Sequence, residues 1–396
     1  MTGQADVGYG SAFWRLWWHD VRDRISGNAA RANARWGFLT PPSGSGKLIW
    51  VKVNAHPENI ILAVEVLRAI REHRLDVRLA LTFEDDYPAL LREPLQGLKK
   101  IGLGYGPSDT PAAVRRVLRA FAPLGVVTVG TQPLTHLFSA LAASNTRTVV
   151  INSQAPSAPT PVEAVYPLNQ AQHQDWERSG CARYLSRSAN FFTQMTQAQV
   201  DPNFKSYIGG ARTLDLWWVH RLGCHAMVDV ASLWMNSPLA AQGVLFVSGD
   251  ECATVKEIFR NGGSALLMIS QWQRNALIPG TVVVVDDQRW LPAIAASCTA
   301  AHFSMANDRE FWQALAGGSP VSVSTERLAQ AYLNDTHQLS FAVCAEAAQL
   351  FPLWQHYLTD PISARKYGDS LRRVFWTERR RADEISRELL QRIYDW

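Results

Sequence analysis

A carboxylate set at the start of a helix, directly behind a buried strand, is placed to take a proton from a hydroxyl group. Glu58 has that setting. The stretch from Leu48 to Glu58, LIWVKVNAHPE, opens with the apolar run Leu48-Ile49-Trp50-Val51, which reads as a buried strand. It breaks at Asn54-Ala55-His56-Pro57. Beyond Glu58, the residues Ile60, Ile61, Leu62, Val64, Val66, Leu67 and Ile70 trace one helical face. Ligands of open α/β sheets bind at the C-terminal ends of the strands. The positive end of the helix should keep Glu58 ionised. The same dipole favours an acid at any helix start, so an ordinary first-turn Glu is the competing reading. His56 is a second candidate in this loop, as a base or as a donor to a ligand carboxylate, and Asn54 is grouped with it as substrate-binding. Lys52 lies within the strand and receives no assignment.

The elements around this loop alternate. Between 47 and 153, strands are expected at Leu48–Val53, 77–82, 100–103, 125–129 and 148–152, with helices at 59–73, 86–94, 110–122 and 133–144. Strand and helix in alternation call for a parallel sheet covered on both faces. Residues 154–220 show no clear period; helices and a crossing between domains are expected there. A second alternating block has strands at 244–247, 264–269, 281–285, 300–303 and 321–323 and helices at 251–261, 289–297 and 308–317. A helical tail, 340–396, carries Arg372-Arg373 and Arg379-Arg380-Arg381, and it could cross back to the first domain. The division expected is 1–46, an aromatic and basic helix with a linker; 47–220, an N-terminal domain; 221–340, a C-terminal domain; and 341–396, helices.

With 396 residues the chain is too long for one ordinary core and suits two domains. A composition of 47% hydrophobic and 19% charged residues is globular. The net charge of +4 permits anionic substrates or an anionic membrane surface without requiring either. The five cysteines are scattered, with neither a zinc spacing nor a disulfide framework, which reads as a reducing cytoplasm. No secretory signal and no apolar run of spanning length is visible. The 15 tryptophans include the pairs Trp17-Trp18 and Trp217-Trp218, which could be buried platforms, interface anchors or sugar-stacking surfaces. Residues 13–38 set Phe13, Trp14, Trp17 and Trp18 among Arg15, Arg22, Arg24, Arg31 and Arg35, a pattern that fits a helix lying in a membrane interface or packed on its own domain. No Walker motif, no GxGxxG after a strand, no nucleophile elbow and no metal-ligand cluster is present. Gly102-x-Gly104-x-Gly106 reads as a turn. Nucleic acid is not an expected partner.

RANARWGFLTPP, from Arg31 to Pro42, followed by LIWVKVNAHPE, resembles the start of the bacterial 3-deoxy-D-manno-octulosonic acid (Kdo) transferases. That family has an Arg-rich helix, a Pro-Pro turn and a strand ending in a Ser-Val-Gly-Glu loop. Here Glu58 survives and its neighbours do not. Tyr105-Gly106-Pro107-Ser108-Asp109 resembles the family's Tyr-x-Pro-x-Asp. Asn307-Asp308-Arg309-Glu310, followed by Ala314 to Val321, resembles its Asn-x-x-Glu and Ala-x-x-Gly-x-Pro-Val. Other motifs are worn: Ser153-Gln154, Trp234, Ser248-Gly249-Asp250-Glu251 and Ser270 to Arg274 replace segments that carry Arg, His and Lys in the family. The resemblance runs over roughly 13–330.

It implies an α/β protein of the GT-B fold, with two Rossmann-like domains whose parallel sheets face an interdomain cleft. It also implies a CMP-activated sugar acid as donor substrate, a hydroxyl acceptor such as a lipid A-like glycolipid, and neither metal nor other cofactor. Glu58 would be the general base. Asn307 and Glu310, which could also be a capping box, would meet phosphate and ribose. Ser248 and Gly249 would offer backbone N–H groups to phosphate. Arg274, or Arg309, would replace the lost cations at the leaving group. The location implied is cytoplasmic, with peripheral contact to an anionic membrane on the inner face of the inner membrane. The worn motifs also admit an inactive shell that binds or scaffolds.

Overall fold

The computed structural model describes residues 9–130, 134–156, 160–196, 203–210, 213–249, 252–263, 265–304, 309–325 and 341–396. Two compact units divide the chain. The first holds Met1–Ala189 and Glu384–Trp396, the second Asn190–Asp383.

The first unit begins with helices α1 (Tyr9–Ile25) and α2 (Ala29–Arg35). A sheet follows, made of β1 (Leu48–Val53), β2 (Arg78–Phe83), β3 (Ile101–Tyr105), β4 (Pro123–Val129), β5 (Arg147–Ile151), β6 (Val162–Tyr166) and β7 (Ala182–Leu185). Its helices are α3 (Pro57–His73), the short α4 (Pro88–Leu91), α5 (Pro111–Phe121), α6 (Thr135–Ala143) and α7 (Gln170–Ser179). The strand order is β3-β2-β1-β4-β5-β6-β7, all parallel. This is a Rossmann-like order, with its switch point between β1 and β4. All six residues of β1 are buried, as a central parallel strand covered on both faces requires. Trp50 packs edge-on against Phe121 of α5 at 5.6 Å and donates its indole N–H to Thr82 of β2 at 2.8 Å.

The second unit contains α8 (Phe204–Gly209), β8 (Asp215–His220), α9 (Cys224–Met235), α10 (Pro238–Gln242), β9 (Gly243–Ser248), α11 (Cys252–Asn261), β10 (Leu266–Met268), β11 (Val282–Val285), α12 (Leu291–Ser297), β12 (Ala300–Phe303), α13 (Arg309–Gly317), β13 (Val321–Val323), β14 (Ala342–Val343), α14 (Ala347–Thr359) and the greater part of the long α15 (Pro361–Tyr394). Its parallel sheet has the order β10-β11-β9-β8-β12-β13-β14. The core sets Trp217 of β8 flat against Trp354 of α14, with ring centroids 4.9 Å apart.

Several expectations change here. The stretch 154–220 supplies three strands, β6 to β8, rather than helices alone, because short apolar runs such as VEAVY are buried between neighbours. The boundary placed at 220 falls too late, since β8 is a central strand of the second sheet. Trp217 and Trp218 are fully buried, which removes membrane or sugar contact for that pair. The glycines of 102–106 lie along and just after β3, an edge strand, rather than in a turn. The C-terminal helix does return: its last residues belong to the first unit, where the Trp396 ring lies on Gly125 so closely that a Cβ there would sit 2.3 Å from it.

Candidate active site

Glu58 occupies the first turn of α3, behind Pro57, whose fixed φ and missing N–H suit a helix start. It is half-buried, at the positive end of that helix. The loop that carries it leaves β1 at the switch point of the sheet, where the chain has turned one way to β2 and the other way to β4.

That loop is fixed by a chain of side-chain amides. Asn54 donates to the Gly130 carbonyl, and its Oδ1 accepts from the His56 N–H at 3.1 Å and from Asn59 at 3.2 Å. Asn59 Oδ1 accepts from Asn152 at 2.7 Å, and Asn152 Oδ1 accepts from Gln172 at 2.8 Å. Gln172 in turn accepts the Leu168 N–H at 2.8 Å. The ends of β1, β4 and β5 are thus tied to one another by amides rather than by charge. Gly130 is required here: its φ is +62°, and a Cβ would fall 2.1 Å from Asn59. Asn54, read as a substrate contact, spends its amide on this internal chain and acts on the loop. His56 is the exposed N-cap of α3, and its side chain makes no capping bond.

Asp109 also holds local structure. Both carboxylate oxygens accept N–H groups at the start of α6, from His136 at 3.1 Å and Leu137 at 2.8 Å. This caps a helix whose own N-cap residue, Leu134, cannot.

In the second unit, Ser248 ends β9 and is buried. Its hydroxyl oxygen accepts the Trp218 indole N–H at 2.7 Å and lies 2.7 Å from His220 Nδ1. Gly249 follows with φ +144°, against Arg221, where a Cβ would come within 3.1 Å. This glycine lets the backbone turn out of the sheet at the end of β9. Glu310 is half-buried in the first turn of α13. Asn307 lies outside the described residues. Arg274 is exposed, with φ +61°, and its guanidinium lies over the rings of Tyr207 and Trp290 at 5.7 and 5.6 Å. It follows β10, the edge strand, which β11 separates from β9. Arg274 is therefore seated on an aromatic cluster whose Trp290 directly precedes Leu291 and Pro292, which line a small cavity together with Glu310. Two positions where the resemblance lost a cation are filled structurally: Trp234 is buried and donates to the Gly280 carbonyl at 3.0 Å, while Ser270 donates through N and Oγ to Asp286 at 2.9 and 2.5 Å.

Sequence reasoning missed two features. Lys52 is 3% exposed and lines a cavity, and among the described residues its ammonium makes no hydrogen bond or ion pair. A charged residue inside an otherwise apolar strand was the available signal. The Asn59–Asn152–Gln172 chain had none, because its members lie far apart in sequence.

Two parallel sheets of Rossmann-like order, the first with a carboxylate-bearing loop at its switch point, define the GT-B class. The chain matches the solved structure of Anabaena HepE in complex with UDP, with a TM-score of 0.59 and 14% identity, over 88% of this chain and 100% of that one. It also matches UDP-GlcNAc 2-epimerase of Neisseria meningitidis bound to UDP-GlcNAc, with a TM-score of 0.56 and 11% identity, over 87% of this chain and 100% of that one. At these identities the likeness is one of fold. No curated protein matches the chain by sequence. Residues 30–158 match the family model of 3-deoxy-D-manno-octulosonic-acid transferase (kdotransferase). Over that third of its length the chain is similar to the Kdo transferases, and over most of its length it shares the fold of the GT-B proteins.

Proposed function

We propose that the protein transfers Kdo or a related sugar acid from a CMP-activated donor to a hydroxyl acceptor of glycolipid type. Glu58 takes the acceptor proton as the anomeric carbon becomes cation-like. The observation that carries this reading is the placement of Glu58: first turn of α3, at the switch point of the first sheet, inside the segment that matches the family. Glu310, Asn307, Ser248 and Gly249 are assigned to the donor nucleotide, and His56 to the substrate. Arg274, exposed and stacked on Tyr207 and Trp290, is assigned to the leaving group through its in-plane N–H donors. The protein attaches to anionic membrane through α1.

The test is a transfer assay with CMP-Kdo and a lipid A-type acceptor. Glu58→Gln should lower turnover about 10²- to 10⁴-fold and leave the circular-dichroism spectrum and melting temperature as they were. Wild-type turnover in that variant removes Glu58 from the mechanism.

The filled positions at Trp234 and Ser270 favour a second reading, an inactive shell that binds or scaffolds. Calorimetric titration with CMP and with UDP separates the two, because UDP is the nucleotide in the HepE structure. Heat from neither supports the shell. Heat from UDP alone replaces the CMP donor and leaves transfer to the product assay.

A further inference from the structure

A cavity of about 250 Å³ opens over the carboxyl ends of β1, β2 and β3, wholly within the first unit. Pockets for drug-sized ligands run from about 300 to 1,000 Å³, so a nucleotide sugar is too large for it and a single sugar ring or a small anion is not. The Lys52 side chain enters from the floor. Its Nζ lies against Gly106, where an added Cβ would meet it at 3.2 Å.

The polar groups around this lysine are mostly engaged. Arg31 pairs with Asp85 at 2.7 Å and Arg35 with Asp23 at 2.6 Å. Both oxygens of Asp109 accept helix N–H groups, and the Ser108 hydroxyl donates to the Arg35 carbonyl at 2.6 Å. Among the described residues, no hydrogen bond or ion pair reaches the Lys52 ammonium. Burial pushes this amine below the usual lysine range, while the charges of Glu84 and Asp109 pull the other way. A buried cation without acceptors costs several kcal/mol. Arg31 and Arg35 line the same cavity as this lysine. Glu84, exposed at the rim of the cavity, reaches the lysine through its charge without a hydrogen bond, and an oxyanion in the cavity would supply the direct acceptor.

We propose that Lys52 anchors a phosphate or carboxylate group of a small polar ligand in this cavity. The site stands whatever reaction the protein performs. Combined with the transfer proposed above, and resting on that reading, the oxyanion would belong to the acceptor. One stretch of chain, from Lys52 to Glu58, would then both hold the acceptor and deprotonate it.

The test is calorimetric titration and thermal shift of the full chain with inorganic phosphate, glucose 1-phosphate and glucuronate, using glucose as the uncharged control. The wild type should bind at least one of the anions tenfold or more tightly than glucose. Lys52→Met should weaken that binding at least tenfold, and its melting temperature should hold or rise because an unpaired buried charge is gone. Gly106→Ala keeps the charge but crowds the ammonium, and should weaken binding too; it carries the test if Lys52→Met does not fold. Absence of anion binding by the wild type, or equal binding by wild type and the folded variants, overturns the site. Anion binding that depends on Lys52 without sugar transfer would sink the transfer reading and leave the site standing. Transfer with an acceptor KM that Lys52→Met leaves unchanged, and anion binding equally unchanged, would sink the site alone.

Discussion

Glu58 and His302 show opposite uses of an ionisable side chain. Glu58 sits half-buried at a helix start, where the peptide dipoles favour its charge. His302, in β12, is 3% exposed, and burial pushes its imidazole down to about 4. Its Nδ1 lies 2.9 Å from the Ser322 hydroxyl and its Nε2 3.2 Å from that of Ser324. Folding therefore holds this histidine neutral at pH values where the unfolded chain protonates it. Between about pH 6.5 and 4 the unfolded state binds the extra proton, so stability falls as pH falls through that window and is fully present above it. The shift is worth about 3 kcal/mol. Urea midpoints measured from pH 7 to pH 4.5 should drop more steeply for the wild type than for His302→Gln. Parallel curves would mean that His302 does not drive the acid loss.

Helix α1 is pinned along one side and bare along the other. Asp23 accepts from Arg35 at 2.6 Å, and Asp20 accepts from Arg24 and the Trp36 indole, both at 3.0 Å. These bonds and buried Leu16 fix one side on α2. The opposite stripe shows Trp14 at 65% and Trp18 at 64% exposure, with Trp17 and Ile25 beside them and Arg15, Arg22 and Arg24 at the margins. Aromatic rings flanked by arginines suit the headgroup layer of an anionic bilayer. Among the described residues no helix is long and apolar enough to cross one. Flotation with vesicles containing anionic lipid should fall about tenfold when Trp17 and Trp18 both become Ala, from the apolar area lost. Flotation that ignores the substitution, or an unmodified protein that never floats, removes α1 as an anchor.

Across the whole chain, the C-terminal segment closes the first unit. Arg74 donates to the carbonyls of Tyr394 and Trp396 at 2.7 and 3.0 Å, and the Tyr394 ring stacks on His73 at 4.6 Å. Trp396 fills the hollow over Gly125 at the start of β4. Trp396→Ala should destabilise this unit by about 3 kcal/mol, as large-to-small changes of buried aromatics do. Hydrogen exchange should report faster opening in β4 and β5 and unchanged protection in β8 and β9. Equal loss in both sheets would contradict a local role for the tail.

The order of elements and the Glu58 loop could be read from sequence, because a parallel strand buried on both faces is a short apolar run and its covering helix repeats every three to four residues. Such local patterns marked β1, α3 and α13 within a few residues. They could not mark β6, β7 and β8, whose pairing depends on neighbours distant in the chain, nor the Asn54–Asn59–Asn152–Gln172 chain, which exists only once three strand ends converge. Whether an arginine is spare or seated on rings, as Arg274 is, and whether a strand lysine meets a carboxylate or an open cavity, as Lys52 does, follows from packing in three dimensions. A side chain's type is written in its codon; its partners are chosen by the fold.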